Sequence, residues 1–227
     1  MTISLSDAGK RYNRDWIFRY LTYTFIAGNS YAIVGPNGSG KSTLLQAIGG
    51  AIALSEGKVV VSGGKRAGST ELLVGSSEST IVSRQSGVVS TEIFYQHMAI
   101  AAPYLEVIEE MTITEFLQFH QTFKPFLPAL SITEMIAVVG LNTAAHKQIR
   151  YYSSGMKQRV KLAQAIFSDV PVILLDEPCT NLDSSGIALY QQLIHTYCKE
   201  RLVIVSSNDE AEFGFCEEKI NISDYKK

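Results

Sequence analysis

The sequence predicts an α/β protein with a mixed, largely parallel central sheet, an antiparallel β-subdomain and an inserted α-helical subdomain. A glycine-rich segment at 35–42 joins a short apolar run to a helix-like run. Two later runs, 170–175 and 202–206, are continuously apolar, as parallel strands covered on both faces are. Between about 105 and 150 the apolar residues recur with the helical period instead. The 227 residues, 46% of them hydrophobic, suffice for one large core with a modest insertion or for two small lobes.

The first third of the chain has the pattern of strands. Residues 1–34 alternate apolar and polar side chains, which predicts antiparallel strands leading into a buried strand at Tyr31–Val34. Ser55–Val61 has the pattern of a turn followed by a strand. From there to about residue 92, glycine- and serine-rich turns separate short β-branched pieces, which predicts meandering hairpins.

Two capping boxes mark helix starts in the middle of the chain. Thr112–Glu115 and Ser131–Glu134 each place a hydroxyl residue three positions before a glutamate. They open predicted helices that run through Phe123 and Val139, the second of which ends at Gly140. We expect these short helices to form a subdomain inserted into the sheet.

The last third of the chain alternates helices and strands. Met156–Phe167 has apolar residues at helical spacing, which predicts one buried face. The side chains expected on its outer face are Lys157, Arg159, Lys161 and Gln164. Val170–Leu175 predicts a central parallel strand, Gly186–Lys199 a helix, and Leu202–Ser206 another buried strand.

The segment Gly35–Ser42 matches the pattern G-x-x-x-x-G-K-[ST] of a phosphate-binding loop. It follows the strand-like run at 31–34 and precedes a helix-like run at 43–48, which is the context that such a loop requires. Its glycines let the backbone adopt positive φ and turn N–H groups toward an anion, and the dipole of the following helix adds to this attraction. Lys41 is then expected to reach the β- and γ-phosphates, and Ser42 to bind Mg²⁺.

An acidic pair, Asp176 and Glu177, follows the predicted central strand and precedes Pro178. Ligands of open parallel sheets collect at the carboxyl ends of the strands, so we expect both acids beside the phosphate-binding loop. Asp176 would hold Mg²⁺ through water. Glu177 would polarise a water for in-line attack on the γ-phosphate.

With two further motifs, these segments make the chain resemble the nucleotide-binding subunit of an ABC transporter. Tyr152–Arg159, with the sequence YSSGMKQR, resembles the family signature LSGGQxQR. Thr180–Asp183 resembles its SALD loop. The ordered motifs cover nearly the whole chain, and the signature separates this family from other phosphate-loop ATPases.

The resemblance implies a P-loop NTPase (RecA-like) fold for a single nucleotide-binding domain of residues 1–227. In this division 1–104 and 160–227 form the core with the antiparallel β-subdomain, and 105–159 form the helical signature subdomain. It also implies an ATP hydrolase that uses ATP and Mg²⁺ and works as a head-to-tail dimer. The dimer would be a homodimer or a pair with a related subunit.

The resemblance also assigns residue roles. Glu177, Lys41 and Asn208 are the expected catalytic residues. The residues expected to bind the nucleotide are Tyr12, Gly35, Asn37, Gly38, Ser39, Gly40, Lys41, Ser42, Thr43, Ser153 and Gly155, with Ser42 and Asp176 as metal ligands. Ser153 and Gly155 lie at a helix start, which favours an anion. The resemblance implies that they contact a γ-phosphate bound to the partner chain. Tyr12 matches the aromatic that stacks on adenine, Trp16 is the second choice, and simple packing is the alternative.

Several positions depart from the family pattern. Ser154 stands where the family has its first signature glycine, and Met156 where it has glutamine. A serine at 154 would be strained by about 1 kcal/mol if the backbone there needs positive φ. Asn208 stands at the position of the family's switch histidine, and an asparagine donates hydrogen bonds but carries no proton or charge. We therefore expect hydrolysis to be slower or to depend wholly on Glu177.

The glutamine that follows the third core strand in this family has no clear counterpart. Alignment on the helical entry at 111–115 puts Tyr104 at its position, and Gln96 lies about eight residues earlier. A tyrosine lacks the amide carbonyl that binds Mg²⁺, and Glu106 is a nearby substitute. The three residues remain alternatives for this contact.

Composition and charge limit the classes of partner, compartment and metal site that the sequence predicts. The net charge of −2 provides no basic field for nucleic acid, and the Lys157–Arg159 face is expected to be solvated. The three cysteines lack C-x-x-C spacing, which predicts free thiols in a reducing compartment. No apolar run approaches 18 residues and the N-terminus does not resemble a signal peptide, so we expect a cytoplasmic location. The four histidines show no metal-ligand spacing and are expected to be structural or solvated.

Three functions are compatible with these motifs. The first is the ATPase of a transporter, bound to separate membrane permease subunits on the cytoplasmic face of the membrane. The second is a soluble ABC ATPase without a membrane partner, although such proteins usually carry two nucleotide domains or a long coiled coil. The third is a nucleotide-gated regulator with weak hydrolysis, which Asn208 favours and Glu177 opposes. The transported substrate and its direction belong to the membrane subunit.

Overall fold

The computed structural model describes residues 1–62, 72–75 and 95–226. Its strands are β1 (Thr2–Tyr12), β2 (Asp15–Ile26), β3 (Ser30–Val34), β4 (Glu56–Ser62), β5 (Leu72–Gly75), β6 (Met98–Ala101), β7 (Val172–Asp176), β8 (Leu202–Ser206) and β9 (Glu218–Asn221). Its α-helices are α1 (Lys41–Ile48), α2 (Ile113–Gln121), α3 (Ile132–Val138), α4 (Ser154–Ile166), α5 (Ser184–Tyr197) and α6 (Glu210–Phe213). Short 3₁₀ turns lie at Asn142–Ala144, Ile149–Tyr151 and Ile222–Tyr225.

The central sheet has the strand order β6-β7-β8-β3-β9, and all its neighbouring strands are parallel. The register aligns Ile33 with Ser206, and Ser206 with Asp176. The carboxyl ends of β3, β7 and β8 therefore lie side by side at one edge of the sheet, the edge formed by the strand ends. The sequence predicts this position for the phosphate-binding loop and the acidic pair.

The second sheet is antiparallel and has the order β2-β1-β4-β5. β1 and β2 form a hairpin that turns at Asn13, whose φ is +55°. The hairpins predicted up to residue 92 lie outside the described residues, apart from β5, which pairs with β4. The predicted combination of a parallel core and an antiparallel β-subdomain is confirmed.

Two hydrophobic clusters sandwich the central sheet. Strand residues alternate between its faces, so Ile173 joins the cluster under α4 and α5, while Leu174 joins the cluster under α1 and the antiparallel sheet. This coverage explains the continuous apolar run of β7. Phe116 of α2 and Met135 of α3 belong to the same cluster as Ile173, so the helical segment shares its core with the sheet.

Most of the predicted helices form with small shifts in their ends. Both capping boxes close, and α2 ends two residues before the predicted Phe123. The prediction of a solvated face at Lys157–Arg159 is wrong for Gln158, which is only 3% exposed. The expected subdomain boundary at 159/160 falls inside the continuous helix α4.

Within the described parts of the chain, no helix combines the length and apolar character needed to cross a bilayer.

Candidate nucleotide-binding site

The phosphate-binding loop connects β3 to α1 and contains three glycines in the positive-φ region. The φ angles are +148° at Gly35, +73° at Gly38 and +105° at Gly40. A Cβ at Gly40 would lie 2.2 Å from Cγ2 of Ile17 in β2. Glycine is thus required at position 40 by conformation and by space, and the contact fixes the end of the β1–β2 hairpin against the loop.

Lys41 is the first residue of α1 and is 5% exposed. Its ammonium donates hydrogen bonds to the carbonyl oxygens of Gly35 at 2.8 Å and Pro36 at 3.2 Å. The side chain therefore folds back over the loop, which concentrates positive charge where the backbone N–H groups and helix dipole also favour an anion. Ser42 and Thr43 follow it in the first turn of the helix.

Asp176 ends β7 beside this loop and is 2% exposed. Burial raises the pKa of its carboxyl, whereas the nearby hydroxyls of Ser42 and Ser206 lower it, and Glu177 and Lys41 have smaller opposing effects. Its Oδ1 atom is buried and makes no hydrogen bond within the described residues. A buried carboxylate oxygen that has no partner and lies next to a serine hydroxyl suits a hard cation such as Mg²⁺.

Glu177 is half-buried and has a φ of +42°, an unusual angle for a residue with a side chain. Its N–H donates a hydrogen bond to the carbonyl oxygen of Ser206 at 2.9 Å. The turn after β7 is therefore attached to the end of β8. Asn181, four residues later, has a φ of +66°.

Asn208 reaches the phosphate-binding loop directly. Its Nδ2 donates a hydrogen bond to Oδ1 of Asn37 at 2.7 Å. The N–H of the preceding residue, Ser207, donates to the carbonyl oxygen of Ile33 at 3.2 Å. The structure thus brings together Asn37, Lys41, Asp176 and Asn208 as predicted, at one edge of the sheet.

The three candidates for the missing glutamine separate clearly. Gln96 precedes β6, so it lies at the amino edge of the parallel sheet, away from this site, and that alternative is wrong. Burial lowers the pKa of Lys161, and the nearby Glu106 carboxylate opposes this effect, so Glu106 lies close to that lysine. Burial raises the pKa of the Tyr104 hydroxyl, a hydrogen bond with Gln46 lowers it, and the Asp176 carboxylate raises it further. Tyr104 is therefore the candidate near Asp176.

The two aromatic candidates for the adenine differ in their surroundings. The ring of Trp16 is covered by the guanidinium of Arg19, whose carbon lies 4.3 Å from the ring centroid. Tyr12 is 49% exposed and pairs across the hairpin with Asp15, next to the strand that carries Ile17. Lys10 Nζ lies 5.0 Å from the centroid of the Tyr12 ring, but the Trp16 ring has two guanidinium groups near it, since Arg11 lies 5.5 Å away in addition to Arg19. This difference favours Tyr12 over Trp16 as a stacking surface.

The signature segment begins α4. Ser153 caps this helix by accepting a hydrogen bond from the N–H of Met156 at 3.2 Å. Ser154 is a regular helical residue without positive φ, so the strain considered for it does not arise. A Cβ at Gly155 would lie 2.9 Å from the carbonyl oxygen of Asn181, which makes glycine necessary there. In the described residues no hydrogen bond links Ser153 or Gly155 to the phosphate-binding loop.

Sequence reasoning missed a second connection between α4 and the site. The amide of Gln158 donates a hydrogen bond to the carbonyl oxygen of Pro178 at 2.7 Å. The same helix holds the Tyr104 segment, since Lys161 donates to the carbonyl oxygen of Pro103 at 3.0 Å. The available signal was helical spacing, because Gln158 lies four residues before the buried Leu162.

Comparisons with known proteins agree with this geometry. The family model described as ABC transporter matches residues 18–180. The chain is 26% identical over 229 residues to the uncharacterized ABC transporter ATP-binding protein YhcH of Bacillus subtilis, covering 97% of the chain and 66% of that relative. It is 25% identical over 213 residues to the cytochrome c biogenesis ATP-binding export protein CcmA of Agrobacterium fabrum, covering 92% of the chain and 90% of that relative.

Solved structures show the same fold. The dimeric structure of MJ0796, a bacterial ABC transporter cassette, has a TM-score of 0.77 at 22% identity and covers 97% of this chain and 94% of that chain. A putative ABC transporter ATP-binding protein from Pyrococcus furiosus has a TM-score of 0.76 at 19% identity, with 100% of both chains covered. Because the family model extends from β2 to the loop after Glu177, this chain belongs to the ABC transporter family and is an ATPase of the ATP-binding cassette type.

Proposed function

We propose that this chain is the ATP-hydrolysing subunit of an ABC transporter and that closure of a dimer on Mg-ATP drives separate membrane subunits. The observation that carries the proposal is the convergence of three segments at one sheet edge. Lys41 lies after β3, Glu177 after β7 and Asn208 after β8, and the register of Ile33, Ser206 and Asp176 aligns the three strand ends. This arrangement suits a nucleoside triphosphate held by its phosphates.

Each residue has a proposed task in this reaction. Tyr12 stacks on adenine, and the N–H groups from Gly35 to Thr43 with the Lys41 ammonium bind the phosphates. Ser42 and Asp176 hold Mg²⁺, which neutralises developing charge on the phosphate oxygens when it is bound. Glu177 orients and polarises the attacking water, and Asn208 donates a hydrogen bond toward the γ-phosphate.

The site is completed by a second chain in this proposal. Ser153 and Gly155 lie at the N-terminus of α4, where the N–H groups and helix dipole favour an anion. The signature of one chain then faces the γ-phosphate bound to the other, in a head-to-tail dimer. The structure of MJ0796, which has the same fold, is dimeric and supports the proposal that this chain forms a dimer.

A membrane partner is proposed from the helical segment, taken as residues 105–159 between the core parts 1–104 and 160–227. Its surface exposes large apolar side chains, namely Leu105, Ile108, Phe119 and Phe123, with Tyr104 next to them. Lys157 of α4 forms an ion pair with Glu109 of the same segment, with Nζ and Oε1 2.5 Å apart. Because α4 also contacts Pro178 and Asn181, it connects this surface to the site. The chain is then held on the cytoplasmic face of the membrane.

One observation favours a second candidate, a nucleotide-gated regulator that hydrolyses ATP weakly. The switch position carries Asn208, whose amide hydrogen bonds to Asn37 and has no ionisable proton. Such a protein would bind ATP and dimerise without Glu177-dependent turnover.

Steady-state ATPase assays of the wild type and Glu177→Gln test the proposal, with the exposed Glu200→Gln as a matched control. We expect Glu177→Gln to lower kcat by about a hundredfold or more, because the base is lost, while Glu200→Gln has no effect. ATP should convert Glu177→Gln into a dimer in analytical ultracentrifugation. Equal turnover of wild type and Glu177→Gln, with membrane partner present, contradicts the proposal. Co-purification with a multi-span protein separates a transporter from a soluble ABC ATPase.

A further inference from the structure

Glu212 is a buried acid outside the residues assigned above. It lies in α6, the short helix after Asn208, and is 4% exposed. Among the residues that the structure describes, no lysine, arginine or histidine forms an ion pair with it. Burying a carboxylate without a cation is unfavourable, and an apolar side chain would fill the same space more easily. Packing alone therefore does not explain a glutamate at this position.

Glu212 joins two segments of the nucleotide site. Its Oε1 accepts a hydrogen bond from the N–H of Cys179 at 2.6 Å, within the loop that follows Glu177. The N–H of Glu212 donates a hydrogen bond to the carbonyl oxygen of Asp209 at 3.0 Å, and the N–H of Asp209 donates to Oγ of Ser207 at 2.9 Å. Ser207 is the residue between β8 and Asn208. The backbone of Glu212 is itself fixed, because its carbonyl oxygen accepts a hydrogen bond from the buried Tyr190 hydroxyl at 2.8 Å.

The loop that Glu212 contacts has a strained backbone. Glu177 and Asn181 both have positive φ, +42° and +66°, although neither is glycine. Such conformations persist only where the surroundings hold them. Between the two strained residues, Gln158 binds the carbonyl oxygen of Pro178 from α4, and Glu212 binds the N–H of Cys179 from α6. Two side chains from different helices thus bind the carbonyl oxygen and the N–H of a single peptide group, the one between Pro178 and Cys179.

We infer that Glu212 is a positioning residue for the ATPase reaction. Its carboxylate ties the loop after Glu177 to the segment that carries Asn208, so that the base and the switch residue keep a common geometry relative to the phosphate-binding loop. The inference rests on the proposed function for its kinetic consequence. The contact between Glu212 and Cys179 can also be tested without turnover.

The kinetic test compares Glu212→Met with Glu212→Gln. Methionine fills the space but makes no comparable hydrogen bond, whereas the glutamine oxygen can still accept from the Cys179 N–H. We expect Glu212→Met to lower kcat about tenfold with the KM for Mg-ATP changed less than about threefold, and Glu212→Gln to stay within about threefold of the wild type. Wild-type kcat in Glu212→Met, or an equal loss in Glu212→Gln, overturns the inference.

Hydrogen–deuterium exchange of the nucleotide-free protein supplies the second readout. The peptide covering 177–183 should exchange at least about fivefold faster in Glu212→Met than in the wild type, because the Cys179 N–H loses its acceptor. Glu210→Met, an exposed glutamate on the same helix, is the control and should leave that peptide unchanged. Unchanged exchange in Glu212→Met overturns the inference even if the wild type hydrolyses ATP. If Glu212→Met exchanges faster but the wild type does not hydrolyse ATP, only the proposed function is contradicted.

Discussion

Gly155 in the signature segment packs directly against the carbonyl oxygen of Asn181, so closely that a Cβ on Gly155 would lie 2.9 Å from that oxygen. Asn181 belongs to the loop that begins at Glu177. The signature helix and the acidic loop of one chain are therefore in contact before any second chain is involved. A dimer contact that displaces the signature segment would therefore also displace the loop that begins at Glu177, through this backbone contact.

This contact predicts that Gly155→Ala impairs turnover. The new methyl group must displace either the Asn181 carbonyl or the start of α4, and displacements of this size at a catalytic site cost about tenfold to a hundredfold in rate. The measurement is kcat at saturating Mg-ATP. Ser154→Ala is the control, because Ser154 is an exposed residue of the same turn. Equal kcat values for the two variants would show that the close approach has no role in turnover.

A second prediction concerns the Gln158 amide. In Gln158→Ala the carbonyl oxygen of Pro178 loses its buried donor, so we expect a loss of about 1–3 kcal/mol in the free energy of unfolding. Urea denaturation measures it. The control is Gln191→Ala, which removes the same kind of bond, from Nε2 to the carbonyl oxygen of Ala211 at 2.9 Å, at an exposed position. A loss no larger than in the control contradicts the expectation.

Asn208→His should raise kcat. Under the proposed function, an imidazole at this position can also donate to the γ-phosphate and can carry positive charge, which the amide cannot. The pH profile of the variant should gain a new limb near pH 6.5, the ordinary histidine pKa, that the wild type lacks. Steady-state ATPase assays from pH 5.5 to 8.5 test both points. A variant slower than the wild type across this range would show that the Asn208–Asn37 hydrogen bond matters more than charge.

His120 should make stability fall in mild acid. Burial, with a smaller effect of Lys124, lowers its pKa from 6.5 to about 4. Gln164 Nε2 lies 3.2 Å from Nδ1 and Ser168 Oγ 3.1 Å from Nε2, which suits a neutral ring protonated at Nε2. The folded state therefore resists a proton that the unfolded state accepts. The contribution is complete above pH 6.5 and is lost as the pH falls toward 4.

The test of His120 is the pH dependence of urea unfolding. After allowance for solvent screening, the wild type should lose on the order of 2 kcal/mol between pH 6.5 and 4 that His120→Gln does not lose. His195→Gln, at an exposed position in the last turn of α5, is the control and should follow the wild type. Parallel pH curves for wild type and His120→Gln would assign the acid sensitivity to other groups.

Local patterns predicted the phosphate-binding loop, the two capping boxes and the buried strands, because each depends on residues a few positions apart. Glycines at 35, 38 and 40 are needed for the backbone of that loop. The run Val172–Leu175 is apolar at every position because both sheet faces are covered. These features are therefore visible without knowledge of the fold.

Other parts of the site could not be predicted in this way. Gln158 looked solvated because its neighbours Lys157 and Arg159 are charged, yet it meets Pro178, twenty positions away, in the packed interior. Tyr104, Gln96 and Glu106 were alternatives from the sequence, and only the parallel pairing of β6 with β7 places Gln96 at the opposite end of the strands from the acids. Glu212 is one of several acids in a charged segment of the sequence, and only its burial against Cys179 distinguishes it.

The sequence by itself determined the family, the phosphate-binding loop and the identity of the acids, since these depend on residue type and short spacing. Only the tertiary structure decided which side chains hold the acidic loop in place. Gly155, Gln158 and Glu212 reach that loop from α4 and α6, and such contacts arise from helix packing on a sheet whose strand order differs from chain order. No local pattern encodes them, because the free energy that forms them comes from burying distant segments together.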